Sequence, residues 1–204
     1  MALTVSGTAQ VPLPRRPLTQ GDPVLRWYAD ELGWAAVRDG AGSPVQLLTG
    51  LRFDVLQLPA QAGFAVLRRL GDALRTGPVA LEGDTMRLLV AAGTADELPG
   101  LLDWLQWGPL PLDLTAVGTG GRIPAPLPPD WSGPRGAAVW VRPPEPGCEV
   151  EPTLPALTGL GSQRTVSEGG RDAAPDLVRL VDAAATQCHR LRLMRASAQP
   201  LAFS

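Results

Sequence analysis

The chain has 204 residues, of which 45% are hydrophobic, and a net charge of −2. That size suits one domain able to bury a core of its own, and the charge has the wrong sign for a protein that holds nucleic acid by bulk electrostatics, leaving only a local Arg patch for that purpose. All 18 basic residues are Arg, and the lack of Lys excludes a Walker-A phosphate loop as well as Schiff-base chemistry.

Asn is also missing and Ile occurs only at Ile123, while Gly (23) and Pro (22) are abundant. This bias resembles that of a GC-rich bacterial coding sequence. His189 is the single histidine, so any Ser-His-Asp or Cys-His site would have to be built on it; lying between Cys188 and Arg190 in a helical pattern, it reads as a helix-end cation. Cys148 and Cys188 form no CxxC or His/Cys ligand cluster, which suggests two free thiols in a reducing cytoplasm rather than zinc or a disulfide. The first ten residues lack the charge and apolar run of a secretory signal, and no stretch approaches the ~20 apolar residues of a membrane span. The expected location is cytoplasmic, with no membrane contact.

Residues 1–22, rich in Pro and polar residues without a period, read as a flexible arm in which Arg15 and Arg16 could touch an acidic partner. From Pro23 the spacing of Leu25, Tyr28, Ala29 and Leu32 predicts a helix over 23–32, stopped by Gly33. Two strands follow at 45–48 and 53–58, separated by a Thr49-Gly50 turn. Phe64, Leu67, Leu70 and Leu74 define the apolar face of a second helix. Segments 79–83 and 86–92 form a hairpin about Gly83-Asp84.

A third helix over 97–107 carries Leu98, Leu101, Leu102 and Leu105 on one face. Thr94 and Glu97 have capping-box spacing, but Pro99 fits best in the first turn. Strands at 112–117 and 137–142 flank a Gly120-Gly121 turn. Residues 145–173 read as a Pro/Gly-rich linker or wrapped loop, 174–195 as an amphipathic helix with Leu177, Leu180, Val181, Ala184, Cys188 and Leu191 as its stripe, and 196–204 as a tail. The order of elements predicts an α+β fold with a mixed or antiparallel sheet flanked by helices.

The segment RWYADELGW (26–34) is similar to the opening of primase-polymerase (prim-pol) N-terminal domains of the archaeo-eukaryotic primase superfamily. VQLLTGLRFDVLQLP (45–59) resembles the family's "TG" turn leading into a strand with two metal-binding acids, and LDLTAVGTGGRIPAP (112–126) its glycine-bearing acidic segment. The resemblance covers 25–144 and implies a prim-pol (RRM-like) domain over 23–144. It places Gln57 and Pro59 where the acids belong, Asp113 on a third acid position, and Met86 or Arg87 where a histidine would meet nucleotide phosphates.

Two-metal nucleotidyl transfer needs several carboxylates converging on Mg²⁺ or Mn²⁺. Gln57 is a weak ligand and Pro59 none, while Asp54 falls on the opposite face of its strand. The resemblance therefore implies a degenerate, non-catalytic domain with no cofactor, serving as a binding or regulatory module for a protein partner or single-stranded nucleic acid. The alternative is a divergent DNA primase/polymerase acting on single-stranded DNA through Asp113 with Asp84 or Glu82 and Mg²⁺ or Mn²⁺. A further expectation is partnership with a separate helicase or polymerase chain. Interaction candidates are Trp104 and Trp107, suited to an interface or to base stacking, with Arg122 and Arg190. The glycines at 118, 120 and 121 either form a tight turn or cradle phosphate through backbone N–H groups.

Overall fold

A computed structural model describes residues 22–71, 76–157 and 176–197. Arg15, Arg16, Leu74, the stretch 158–175 and the tail from 198 lie outside the described residues. The elements run α1 (Pro23–Glu31), β1 (Ala36–Val37), β2 (Gln46–Leu48), β3 (Phe53–Pro59), α2 (Ala60–Leu70), β4 (Val79–Glu82), β5 (Thr85–Ala91), α3 (Thr94–Trp104), β6 (Thr115–Val117), β7 (Arg122–Pro124), β8 (Val139–Arg142) and α4 (Leu177–Ser197). The fold is α+β.

Five strands form one sheet in the order β6-β3-β5-β4-β8, and all its neighbouring pairs are antiparallel. From β3 to β6 the chain reads β-α-β-β-α-β with the strands arranged 4-1-3-2, the split βαβ or ferredoxin-like arrangement. A second antiparallel sheet, β1-β2-β7, is separate. The Leu127 N–H, just beyond β7, donates to the Ala138 carbonyl at the start of β8 at 2.9 Å, tying the two sheets together.

Alternation along β3 divides the core. Leu56 and Leu58 join Met86, Leu88 and Val90 of β5 in a cluster with Ala62 and Val66 of α2, Leu98 and Leu101 of α3, and much of α4. Phe53, Val55 and Leu89 point the other way, into a cluster with Tyr28, Leu32, Trp34, Leu47 and Ile123. Helices thus cover one face of the large sheet, and α1 with the small sheet covers part of the other. Asp22 caps α1 by accepting the Val24 N–H at 2.9 Å, with Pro23 at the first helical position.

The buried face of α2 centres on Ala62, Gly63 and Val66; Leu67 and Leu70 of the expected apolar face pack against the same cluster half-buried, whereas Phe64 is exposed. The helix turns this way because a Cβ on Gly63 would overlap the Met86 side chain: small residues let α2 approach the sheet, which the larger apolar residues could not do.

The third helix starts three residues early, at Thr94, and ends at Trp104, so Pro99 is inside it rather than in its first turn. Gly93, at φ +93°, is its N-cap residue instead of a Thr94 capping box. Trp107 lies beyond the helix. The two-residue strand β1 has no periodicity to announce it, and only 115–117 of the segment 112–117 pairs as a strand.

The packed unit also extends past residue 144. Val150 and Leu154 are buried in the second cluster, the Ala91 N–H donates to the Pro155 carbonyl at 2.9 Å, and α4 fills the first cluster from Leu177 to Leu191. His189 does not sit at the end of α4: the basic residue of its last turn is Arg195, about two turns further on. Among the described residues, no helix is long and apolar enough to cross a membrane.

Candidate functional site

Residues directly opposite in an antiparallel sheet share a face. Thr115 pairs with Gln57, Gln57 with Arg87, Arg87 with Ala80, and Ala80 with Trp140, so one row crosses all five strands on the face away from α2 and α3. One step along, Pro59 pairs with Thr85 and Thr85 with Glu82. Gln57 and Pro59 therefore share one face of β3, Gln57 beside Arg87 and Pro59 at the strand's end, opposite Thr85. Met86 is opposite Leu58 and fully buried on the helix side; of the two residues proposed for the histidine position, Arg87 is the one that shares the face with Gln57.

The electrostatics of this row are set by Arg87. Its side chain is buried, the whole residue being 8% exposed; its Nη2 meets Glu82 Oε2 at 2.9 Å, and its Nε and Nη1 are buried without a hydrogen-bond partner. Glu82 is thereby tied to a guanidinium. Asp84 is exposed in the β4–β5 turn, where its carbonyl accepts the Ala60 N–H at 2.8 Å. Asp113, with a side chain 49% exposed, turns toward α4 and meets Arg195 at 3.6 Å, a pair of little energetic weight in water. Asp54 lies on the helix face, 1% exposed, and accepts the Ala95 N–H at 2.8 Å. The carboxylates of Glu82, Asp113 and Asp54 thus each face a different neighbour, and Asp84 engages Ala60 through its backbone.

Among the described residues, no group of three or more His, Cys, Asp or Glu side chains is placed to hold a metal ion. The donor set around Gln57 does not fit a divalent cation requiring several oxygen ligands, because Glu82 is paired with Arg87 and the neighbouring position is Pro59.

The two glycine-bearing motifs lock each other. The Thr49 Oγ1 donates to the Gly118 carbonyl at 2.6 Å, and the Thr49 N–H donates to the Gly121 carbonyl at 3.1 Å. A Cβ at Gly50 would overlap the Thr119 backbone, and one at Gly121 would overlap Val117. The 118–121 turn is therefore packed against Thr49-Gly50, and this contact accounts for glycine at both places.

The interaction candidates separate. Trp104 is 70% exposed at the last turn of α3. Trp107 is partly buried, donates from Nε1 to Asp182 at 3.0 Å, and lies 5.9 Å from the His189 ring. Arg122 bonds Asp39 at 2.9 and 3.1 Å from an exposed position. Arg190 is exposed on α4, far along the chain from the Gln57 row. Trp34, Tyr28 and Phe53 form a buried aromatic group, with Trp34 and Phe53 centroids 4.7 Å apart. Tyr28 donates to the Pro126 carbonyl at 2.6 Å, and burial pushes its phenol well above the ordinary tyrosine range. Cys148 is exposed; Cys188 is buried, and burial followed by the Asp113 charge pushes its thiol up to about 12.

Arg87 enters the sequence reading only as a replacement for a missing histidine. Its alternation with the apolar Met86 and Leu88 is the signal that it shares a face with Gln57. The Asp54 cap has no local signal, since its partner is 41 residues away. Comparison with known proteins finds no matching family model, no matching curated protein and no matching solved structure.

Proposed function

We propose that this chain is a non-catalytic prim-pol-like domain that works as a protein-binding or regulatory module. The observation that carries the reading is the Glu82–Arg87 pair at 2.9 Å beside Gln57. A catalytic sheet of this family concentrates negative charge to hold two cations. Here the same position carries an amide, a proline and a buried guanidinium that absorbs the nearest carboxylate. Support for the family itself comes from the order of its motifs on the fold: the Thr49-Gly50 turn opens the central strand β3, and the glycine turn before β7 abuts it.

A protein partner is favoured over single-stranded nucleic acid. Base stacking needs exposed aromatic faces on a basic surface, whereas Tyr28, Trp34 and Phe53 on this sheet face are buried and the chain is acidic overall. The test is primer synthesis and primer extension by the full chain with nucleotides and Mg²⁺ or Mn²⁺, alongside oligothymidylate binding by fluorescence anisotropy across a salt series. No product and no binding with a steep salt slope are expected. Product that disappears on Asp113→Ala would establish the divergent polymerase instead, and tight salt-sensitive binding would establish a nucleic-acid module.

A further inference from the structure

The turn before β8 carries an unusual backbone choice. Pro129 and Asp130 are its central residues, closed by the Trp131 N–H donating to the Pro128 carbonyl at 3.1 Å, and Asp130 has φ +66°. Pro followed by a left-handed residue is the pattern of a type II turn, where glycine is the unstrained choice. Aspartate tolerates that region better than most side chains, and its use here in place of glycine sets a carboxylate on the turn.

The same turn forms one wall of an open cleft of about 270 Å³. The other wall is built by Val139 and Trp140 of β8 together with Pro143, the first residue beyond that strand. Trp131 is 45% exposed there. Trp140 is braced from behind by the buried Trp34, with ring centroids 6.2 Å apart in an edge-on arrangement. The cleft thus has two indoles, prolines on its rim and one carboxylate, on surfaces held by a closed turn and a paired strand.

We propose that this cleft binds a proline-rich, arginine-bearing segment of a partner protein in the polyproline II conformation. Such segments are preformed, have no internal hydrogen bonds, and seat their pyrrolidine rings between aromatic walls, while an acid at the groove's edge fixes orientation by pairing with arginine. Asp130 is the carboxylate among the cleft residues, so charge complementarity selects a basic rather than an acidic proline-rich segment. The inference does not rest on the loss of catalysis at Gln57, because the cleft lies at the β8 edge of the sheet, past β4, and not at the Gln57 position.

The test uses the full chain and a synthetic peptide, acetyl-VPLPRRPL-amide, whose sequence copies residues 11–18 and so supplies both required features. The readout is the indole N–H resonance of Trp131 in a proton–nitrogen NMR spectrum. A saturable shift is expected, weakened at least about tenfold when the peptide prolines become Ala or its arginines become Glu. Asp130→Gly relieves the turn, so the fold is kept, and it should weaken binding by a similar factor; Trp131→Ala, read at the Trp140 indole, should abolish it.

No shift at millimolar peptide, or equal binding by Asp130→Gly, overturns the proposal, as does binding that survives Trp131→Ala. A shift produced equally by oligothymidylate makes the cleft a nucleic-acid site and overturns it too. Binding that emerges only when Pro12, Pro14 and Pro17 of the chain are all replaced by Ala makes the chain's own segment the occupant and overturns the assignment to a partner. Failure of any of these leaves the nucleotidyl-transfer assay unaffected, so the two readings fall separately.

Discussion

Asp54 and Ala95 are joined across the boundary between sheet and helix: a carboxylate on β3 accepts the backbone N–H at the second position of α3 at 2.8 Å. The first N–H groups of a helix have no partner inside it, and the macrodipole favours negative charge at that end. A strand residue 41 positions away thus does the work that the sequence assigns to Thr94 locally. Alternation along β3 puts Asp54 on the helix face, opposite to Gln57, and the bond uses that placement.

Asp54→Ala removes a cap and leaves the part-buried Ala95 N–H unpaired, so it should destabilise the chain by about 1–3 kcal/mol. Asp54→Asn keeps an acceptor and should cost less than half as much. Urea denaturation followed by far-ultraviolet circular dichroism measures both. Equal losses for Ala and Asn would show that the carboxylate charge, rather than the cap, is what α3 requires.

Gly50 and Gly42 have similar dihedrals, φ +85° and +88°, but different surroundings. A methyl group at Gly50 meets the Thr119 backbone, whereas at Gly42 it meets nothing within 4 Å. Gly50→Ala should therefore cost about 2–4 kcal/mol, combining the unfavourable φ with overpacking, and Gly42→Ala only about 1 kcal/mol from the φ alone. The difference in their urea midpoints isolates the steric part and tests whether the Thr49-Gly50 turn is clamped by the 118–121 turn.

Glu82 and Arg87 offer a test of the charge balance on the row. Glu82→Gln leaves a nearly buried guanidinium without its anion and should destabilise by about 1–3 kcal/mol, less than a fully buried pair because the glutamate is one-third exposed. Arg87→Met replaces the cation with apolar volume and removes two unpartnered nitrogens, so it should be near neutral or stabilising. A large loss in Arg87→Met would mean that the guanidinium holds this face together through contacts beyond Glu82.

Much of this architecture is legible in the sequence because it is periodic. The alternation of β3 and β5 and the Gly83 turn between β4 and β5 are local signals, and they put the Gln57 row at the centre of the sheet. What escapes is set by partners distant in sequence. The orientation of α2 depends on the contact between Gly63 and Met86, the start of α3 on Asp54, and the inclusion of α4 on a groove between α2 and α3 that only the closed sheet provides. The paired state of each acid is likewise invisible, since Glu82 and Asp113 find their arginines through strand pairing and helix packing.

The cysteines differ in a way that chemistry can read. Cys148 is exposed, so one thiol per native chain should react with Ellman's reagent at pH 8, and Cys188 only after unfolding. The Cys188 thiol is pushed from 9.0 up to about 12. Above pH 9 the unfolded chain holds fewer protons than the folded one, so stability due to this group is complete below pH 9 and is lost as pH rises toward 12. Tyr28, also raised by burial, adds to the loss above pH 10. Cys188→Ala should flatten the fall between pH 9 and 12 by up to about 1.4 kcal/mol per pH unit; an unchanged slope would locate the alkaline sensitivity elsewhere.

Gln106 closes α3 in a conformation that its side chain disfavours. At φ +64° it occupies the left-handed position of a Schellman motif, with the Trp107 N–H donating to the Leu102 carbonyl at 2.8 Å and its own N–H to that of Asp103 at 3.0 Å. Glycine is free to take that φ, and although it also loosens the unfolded chain, the balance favours it here. Gln106→Gly should stabilise by about 0.5–1 kcal/mol, raising Tm by about 1–4 °C in calorimetry. Gln106→Val should do the reverse, because a β-branched residue resists the left-handed region most. The same motif turns Trp107 back from the helix so that its indole reaches Asp182 at 3.0 Å, while Trp104, one turn earlier, stays in solvent. If Gln106→Gly keeps the native near-ultraviolet signal and gains stability, the turn and not the glutamine positions Trp107; loss of that signal would show the side chain to be needed for the bend.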